Sequence, residues 1–175
     1  MKSIPKSVIT LAEIKGIPEL TKNLSVEIET RPEFLSENSL LKTYELLSPK
    51  RLVVRMGFES VFQEVRNKLN KGIPDLQIKE VYRLRESVRK KLKDKILFVA
   101  YVLFGLESID EASVKESVKV FREHLDGVIA IKYRRYKETM PKETAVSEDL
   151  LNFLRSTCLD VDLTTSEIWE LQLNK

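Results

Sequence analysis

His124 is the one histidine and Cys158 the one cysteine among 175 residues. The usual His/Cys zinc-ligand sets therefore cannot be assembled from this chain, and no intrachain disulfide can form. Cys158 has no histidine near it in sequence to serve as a base, and it reads as a buried, inert thiol. His124, between Glu123 and Leu125 in a helical stretch, reads as a surface or packing residue. Two acid pairs, Asp110/Glu111 and Asp160/Asp162, have the residue types of a general acid–base couple. A helix cap and a solvated loop account for them better. The glycine-rich phosphate loop, the dinucleotide fingerprint, the nucleophile elbow and the zinc-protease helix are all absent. The expectation is therefore no catalytic residue, no cofactor and no metal.

Cations offer more. From Lys79 to Lys95 the chain carries eight Lys/Arg against three Asp/Glu. Arg83, Arg85, Arg89, Lys90, Lys93 and Lys95 are able to track phosphates. No aromatics alternate with them to stack bases. The other reading is the solvated face of a long helix, supported by pairs such as Glu86–Lys90. A second patch, Lys132, Tyr133, Arg134, Arg135, Tyr136 and Lys137, mixes aromatics with cations, and it also suits a helix end, where cations are favoured. Net charge is only +3 with one third of residues charged, so charge balance alone does not argue for nucleic acid.

The elements that would position these residues follow from periodicity. Ile78, Val81, Val88, Leu92, Ile96, Val99 and Leu103 recur at helical spacing, with no Pro or Gly before Gly105. They predict one helix from Ile78 to Phe104, about 40 Å long. Its first part is a basic rod. Its last nine residues, Ile96–Phe104, are apolar or aromatic and need cover on every side. Nine residues are too few for a bilayer span, which takes about 20, so that cover is expected to be protein.

Upstream, residues 1–56 read as a small β-rich domain. Val8–Ile14 is β-rich; Leu24, Val26 and Ile28 alternate with polar residues; Ser36 is placed to cap a short helix; Leu52–Val54 reads as another strand; and Gly57 is a hinge. Residues 58–141 read as a helical domain. Phe58, Val61, Phe62, Val65 and Leu69 form one stripe, and Asp75 caps the long helix. A third helix, introduced by Ser108–Glu111, runs through Val114, Val118, Phe121 and Leu125 and extends as far as Tyr136. Residues 142–175 form an acidic, partly helical tail, with Ser147 as a cap and a cluster at Ile168, Trp169, Leu171 and Leu173. The fold class expected is α+β: a helical bundle preceded by a small β-rich module. MKSIPKSVITL does not read as a signal peptide, and the expectation is a soluble, intracellular protein. Few Gln and Cys beside abundant Lys, Glu, Ile and Leu point to a thermophilic origin.

This order of parts resembles the B-domain-first class of GINS subunits, components of the replication fork in archaea and eukaryotes. The similarity lies in Ser60–Ala100, with its turn Gly72-Ile73-Pro74-Asp75 and the basic centre Lys91 to Ile96, and in Ile109–Arg135. Leu40–Leu47 followed by Arg51–Val54 occupies the place of the family's short helix and strand. The family's LPLWLA-like signature is absent. The resemblance implies a non-catalytic scaffold in a heterotetramer with a second GINS subunit. That complex links the MCM helicase to a RecJ-like partner and to primase. The setting implied is cytoplasmic and nucleoid-associated, or nuclear in a eukaryote. On this reading Ile96, Val99, Ala100, Leu103 and Phe104 form the subunit interface. Arg85, Arg89, Lys90, Lys93, Arg134 and Arg135 are the residues expected to touch a partner or, weakly, DNA. The alternative is a nucleic-acid-binding accessory protein, such as a primase accessory subunit or a helical transcription factor.

Overall fold

The computed structural model describes residues 17–163. The expectations for Val8–Ile14 and for Ile168–Leu173 fall outside the described residues. In chain order the elements are α1 (Ile17–Thr21), β1 (Ser25–Thr30), a 3-10 turn (Pro32–Phe34), α2 (Glu37–Leu47), β2 (Arg51–Glu59) and α3 (Gln63–Lys68). Then come α4 (Asp75–Leu92), a second 3-10 turn (Lys93–Lys95), β3 (Ile96–Phe104), α5 (Glu111–His124), β4 (Gly127–Lys132), α6 (Glu148–Thr157) and β5 (Asp160–Asp162). Helices and strands alternate except where α4 follows α3, and the five strands form one parallel sheet in the order β1-β2-β3-β4-β5. The fold is thus mixed α and β, and a sheet stands where a helical bundle was expected.

The largest correction concerns Ile96–Phe104, which is a strand and not the second half of a helix. The helical stripe through Leu92, Ile96, Val99 and Leu103 is coincidental. Helix α4 ends where Lys93 takes φ 52°, with its N–H still bonded to the Arg89 carbonyl. Beyond the turn, Ile96, Phe98, Ala100, Val102 and Phe104 are fully buried, and Val99 on the opposite face is buried too. A strand covered on both faces reads as an unbroken apolar run, with no polar alternation to reveal its period of two. Every side chain of the run finds cover or partial cover within this chain.

The same confusion of periods explains two smaller corrections. Phe58 belongs to β2, not to a helical stripe, and β2 ends at Glu59 with φ 68°. The third helix stops at His124 rather than reaching Tyr136, because Leu125 turns extended and Gly127–Lys132 enters the sheet. Asp160 and Asp162 lie in β5, not in a loop.

Several local expectations hold. β1 and β2 cover the two stretches read as strands. Ser36 caps α2 in a reciprocal box with Ser39, both bonds 3.1 Å. Ser147 caps α6 through the Leu150 N–H at 3.1 Å. At α5 the cap is Asp110, which accepts from the Ser113 N–H at 2.8 Å. The cap expected from Asp75 is not formed: Asp75 is the first helical residue of α4, and Pro74 precedes it as N-cap without a side-chain bond.

Two compact units result, residues 1–57 with 73–99, and residues 58–72 with 100–175. In the first, β1 pairs parallel with β2 from Ser25↔Arg51 to Thr30↔Met56, joined through α2. Helix α4 packs on α2 and on the Pro32–Phe34 turn. In the second, β4 pairs parallel with β5, joined through α6, and α5 packs against both α6 and β4. Phe58 stacks on Phe121 with ring centroids 5.2 Å apart.

The strand assignment has a mutational signature. Phe98 is fully buried and Leu97 only partly. Phe98→Ala is expected to lower unfolding stability by about 3–5 kcal/mol, and Leu97→Ala by clearly less, as measured by urea denaturation. Equal losses at both positions would contradict the alternation.

Candidate nucleic-acid interface

The basic residues of the first unit gather where α4 ends. A helix C-terminus carries partial negative charge, and cations in its last turn are stabilising. Arg89, Lys90 and Lys91 occupy that turn, and Lys93 and Lys95 follow in the turn that leads into β3. All five are exposed, as are Lys79 and Arg83 further up the helix. Arg51, which opens β2, reaches this edge through an ion pair with Asp94 at 3.5 Å, bringing exposed Lys50 with it.

Two cations of the strip make side-chain contacts that fix their place. Arg85 is turned inward, 9% exposed, and bonds Glu86 at 2.7 Å. It is a packing residue, contrary to the contact role expected for it. Lys91 is ion-paired with Glu37 of α2, which also accepts from the Ser87 hydroxyl at 2.8 Å. These bonds, that from Lys91 first, hold the Glu37 carboxyl below its ordinary value of 4.5. Glu37 was invisible as a site residue in the sequence, where it is one more acid in a first helical turn. Arg89, Lys90, Lys93 and Lys95 are exposed, and so is Lys50.

Arg134 and Arg135 lie in the second unit and serve its own loop. Arg134 bonds the Leu163 carbonyl at 3.0 Å and lies 3.5 Å from Glu143. The Arg135 N–H donates to Glu143 at 2.9 Å, and its guanidinium donates to the carbonyls of Lys137, at 3.2 Å, and Glu138. With the Tyr133 hydroxyl on the Pro141 carbonyl at 3.0 Å, these contacts fold the segment after β4 on itself. That segment is a loop and not a helix end, so the dipole argument for its cations does not apply.

The five residues expected to meet a second subunit, Ile96, Val99, Ala100, Leu103 and Phe104, all lie in β3. Only Leu103 is even partly exposed, and the others are buried in this chain.

His124 is exposed at the last position of α5. Half-buried Cys158 ends α6, and burial pushes its thiol up to about 11. Glu111 accepts from the Ser147 hydroxyl and N–H, bonds that hold its carboxyl low. Among the described residues no group of His, Cys, Asp and Glu could hold a metal ion. One feature went unseen in the sequence. Glu59, buried at the end of β2 with positive φ, pairs with Lys71 at 2.6 Å. Beside it the hydroxyls of Ser60 and Ser117 lie 3.1 Å apart, and fully buried Arg66 donates to the Ser60 carbonyl at 2.9 Å. A non-glycine residue gives no sequence signal of such a backbone.

Two measurements check these assignments. Because the Glu37 carboxyl is depressed in the folded chain, its contribution is complete above 4.5 and is lost as pH falls through the lower folded value. Glu37→Gln is expected to lower stability near neutrality, to flatten stability against pH in that acid window, and to change little below it. At pH 8, Cys158 should alkylate about a hundred-fold more slowly than a free thiol, with the native rate restored to normal by denaturant.

No family model matches this chain, and no curated protein matches it. A solved structure similar to part of it is a radical S-adenosylmethionine methyltransferase, TsrM, from Kitasatospora setae, with tryptophan substrate and a SAM analog bound. Identity is 15%, the TM-score is 0.44, and the match covers 61% of this chain and 20% of that one.

Proposed function

We propose that this chain is a non-catalytic accessory module that docks on nucleic acid through the basic edge at the end of α4. The observation that carries the proposal is the exposure of Arg89, Lys90, Lys93 and Lys95 within seven residues of chain. Lys50 and Arg51 stand beside them at the start of β2. Dipole compensation accounts for cations in the last turn of α4, but Lys93 and Lys95 lie past it.

The kind of contact follows from what surrounds the cations. Among residues 73–99, Tyr82 is half-buried and Phe98 is buried, so no exposed ring is present to stack a base. Lysines on flexible stems meet phosphates as point charges and carry no base-reading geometry. The docking is therefore to the backbone, independent of sequence, and screened by salt. The scaffold role implied by the GINS resemblance is a second reading, and the segment it assigns to the subunit interface, Ile96–Phe104, is a strand rather than a helix.

Four phosphate contacts imply a slope of about −3.6 for log affinity against log salt on duplex DNA. Fluorescence anisotropy with a labelled duplex, titrated across salt, measures it. Substitution must respect the backbone at Lys93, whose φ is 52°. Lys90→Ala, Lys95→Ala and Lys93→Gly together are expected to shrink the slope by about 2.7 while leaving the fold intact. An unchanged slope, or no binding at low salt, would sink the proposal.

A further inference from the structure

The end of α4 holds one more cation than the four that meet phosphates. Lys91 lies between Lys90 and Lys93 in the chain, and its side chain is 56% exposed. Its ammonium is ion-paired with Oε1 of Glu37, the first residue of α2. Exposed ion pairs are usually weak, because both partners are solvated and lose side-chain freedom on meeting. This pair differs on the acid side. The Glu37 side chain is only 30% exposed and its Oε1 is buried, while Oε2 accepts from the Ser87 hydroxyl at 2.8 Å. Ser87 stands one helical turn before Lys91, so α4 grips the carboxylate from two positions. The same two bonds favour its ionised form.

We propose that Glu37 is a built-in competitor of the nucleic-acid backbone, which occupies Lys91 as a phosphate would and so limits the number of contacts this edge makes. The proposal rests on the nucleic-acid reading of the edge. A lysine adds to affinity and to its salt dependence when it neutralises a phosphate and releases a counterion. Lys91 would first have to give up a carboxylate that two bonds hold in place. It therefore adds nothing, although it is exposed and stands among cations that do.

Salt titrations of the full chain on a labelled DNA duplex, followed by fluorescence anisotropy, test this. Lys91→Ala is expected to leave the slope at about −3.6. Glu37→Gln keeps the size of the side chain, removes its charge, and is expected to steepen the slope to about −4.5, one contact more. Combining Glu37→Gln with Lys91→Ala is expected to return it to about −3.6, which separates release of Lys91 from a mere loss of negative charge. The Lys91→Ala result stands whatever Glu37→Gln does to stability. A slope that shrinks with Lys91→Ala alone, that keeps its wild-type value with Glu37→Gln, or that stays steep in the double variant would each overturn the proposal and leave the nucleic-acid reading intact. A wild-type chain without salt-dependent binding would overturn both.

Discussion

Nine consecutive apolar residues at the middle of this chain have to be covered on both faces while every backbone N–H and C=O among them finds a partner. A helix meets the second demand alone but needs a complete sleeve of neighbours for the first. A strand inside a parallel sheet meets both at once, because flanking strands take the backbone groups and layers above and below take the side chains. Ile96–Phe104 adopts the second solution. From this the rest follows. The strand needs parallel neighbours, parallel neighbours need crossovers, and the crossovers are the helices.

The same constraint explains where the charge collects. For β3 to begin at Ile96, α4 has to stop short of it, and Lys93 turns the chain at φ 52°. A lysine is a costly choice for that backbone, since only glycine adopts positive φ freely. The basic edge is thus built from a folding requirement, and its outermost members, Lys93 and Lys95, extend past what the helix end itself calls for. Glu37 limits the edge from the other side. By engaging Lys91 it ties α2 to α4 and pairs one exposed cation of the strip.

Local features were legible in the sequence wherever a side chain does its work within a few residues. Ser36 and Ser147 announce their helices because a cap bonds an N–H three residues on. The alternation of Val26 and Ile28 with Ser25, Glu27 and Glu29 announces β1, because one face of that strand meets water. Ile96–Phe104 was illegible for the opposite reason: with both faces buried it shows no period at all, and chance spacing joined it to the preceding helix. That one error carried the helical domain and the interface residues with it. Among the candidate contacts, Arg89, Lys90 and Lys93 were recoverable because exposure goes with the polar face of an amphipathic helix. Arg85, Arg134 and Arg135 were not, since their partners are Glu86, Glu143 and loop carbonyls whose positions the linear order does not show.

The two edges of the sheet are defended differently, and the difference has a physical meaning. β5 has three residues and places Asp160 and Asp162 on its edge, and a short, charged strand is a poor template for a stranger. β1 has six residues and leaves Val26 and Ile28 half-covered beside exposed leucines. On β1 the acids sit on the alternate face, where exposed Glu27 and Glu29 are the residues that blunt a longer and more apolar edge.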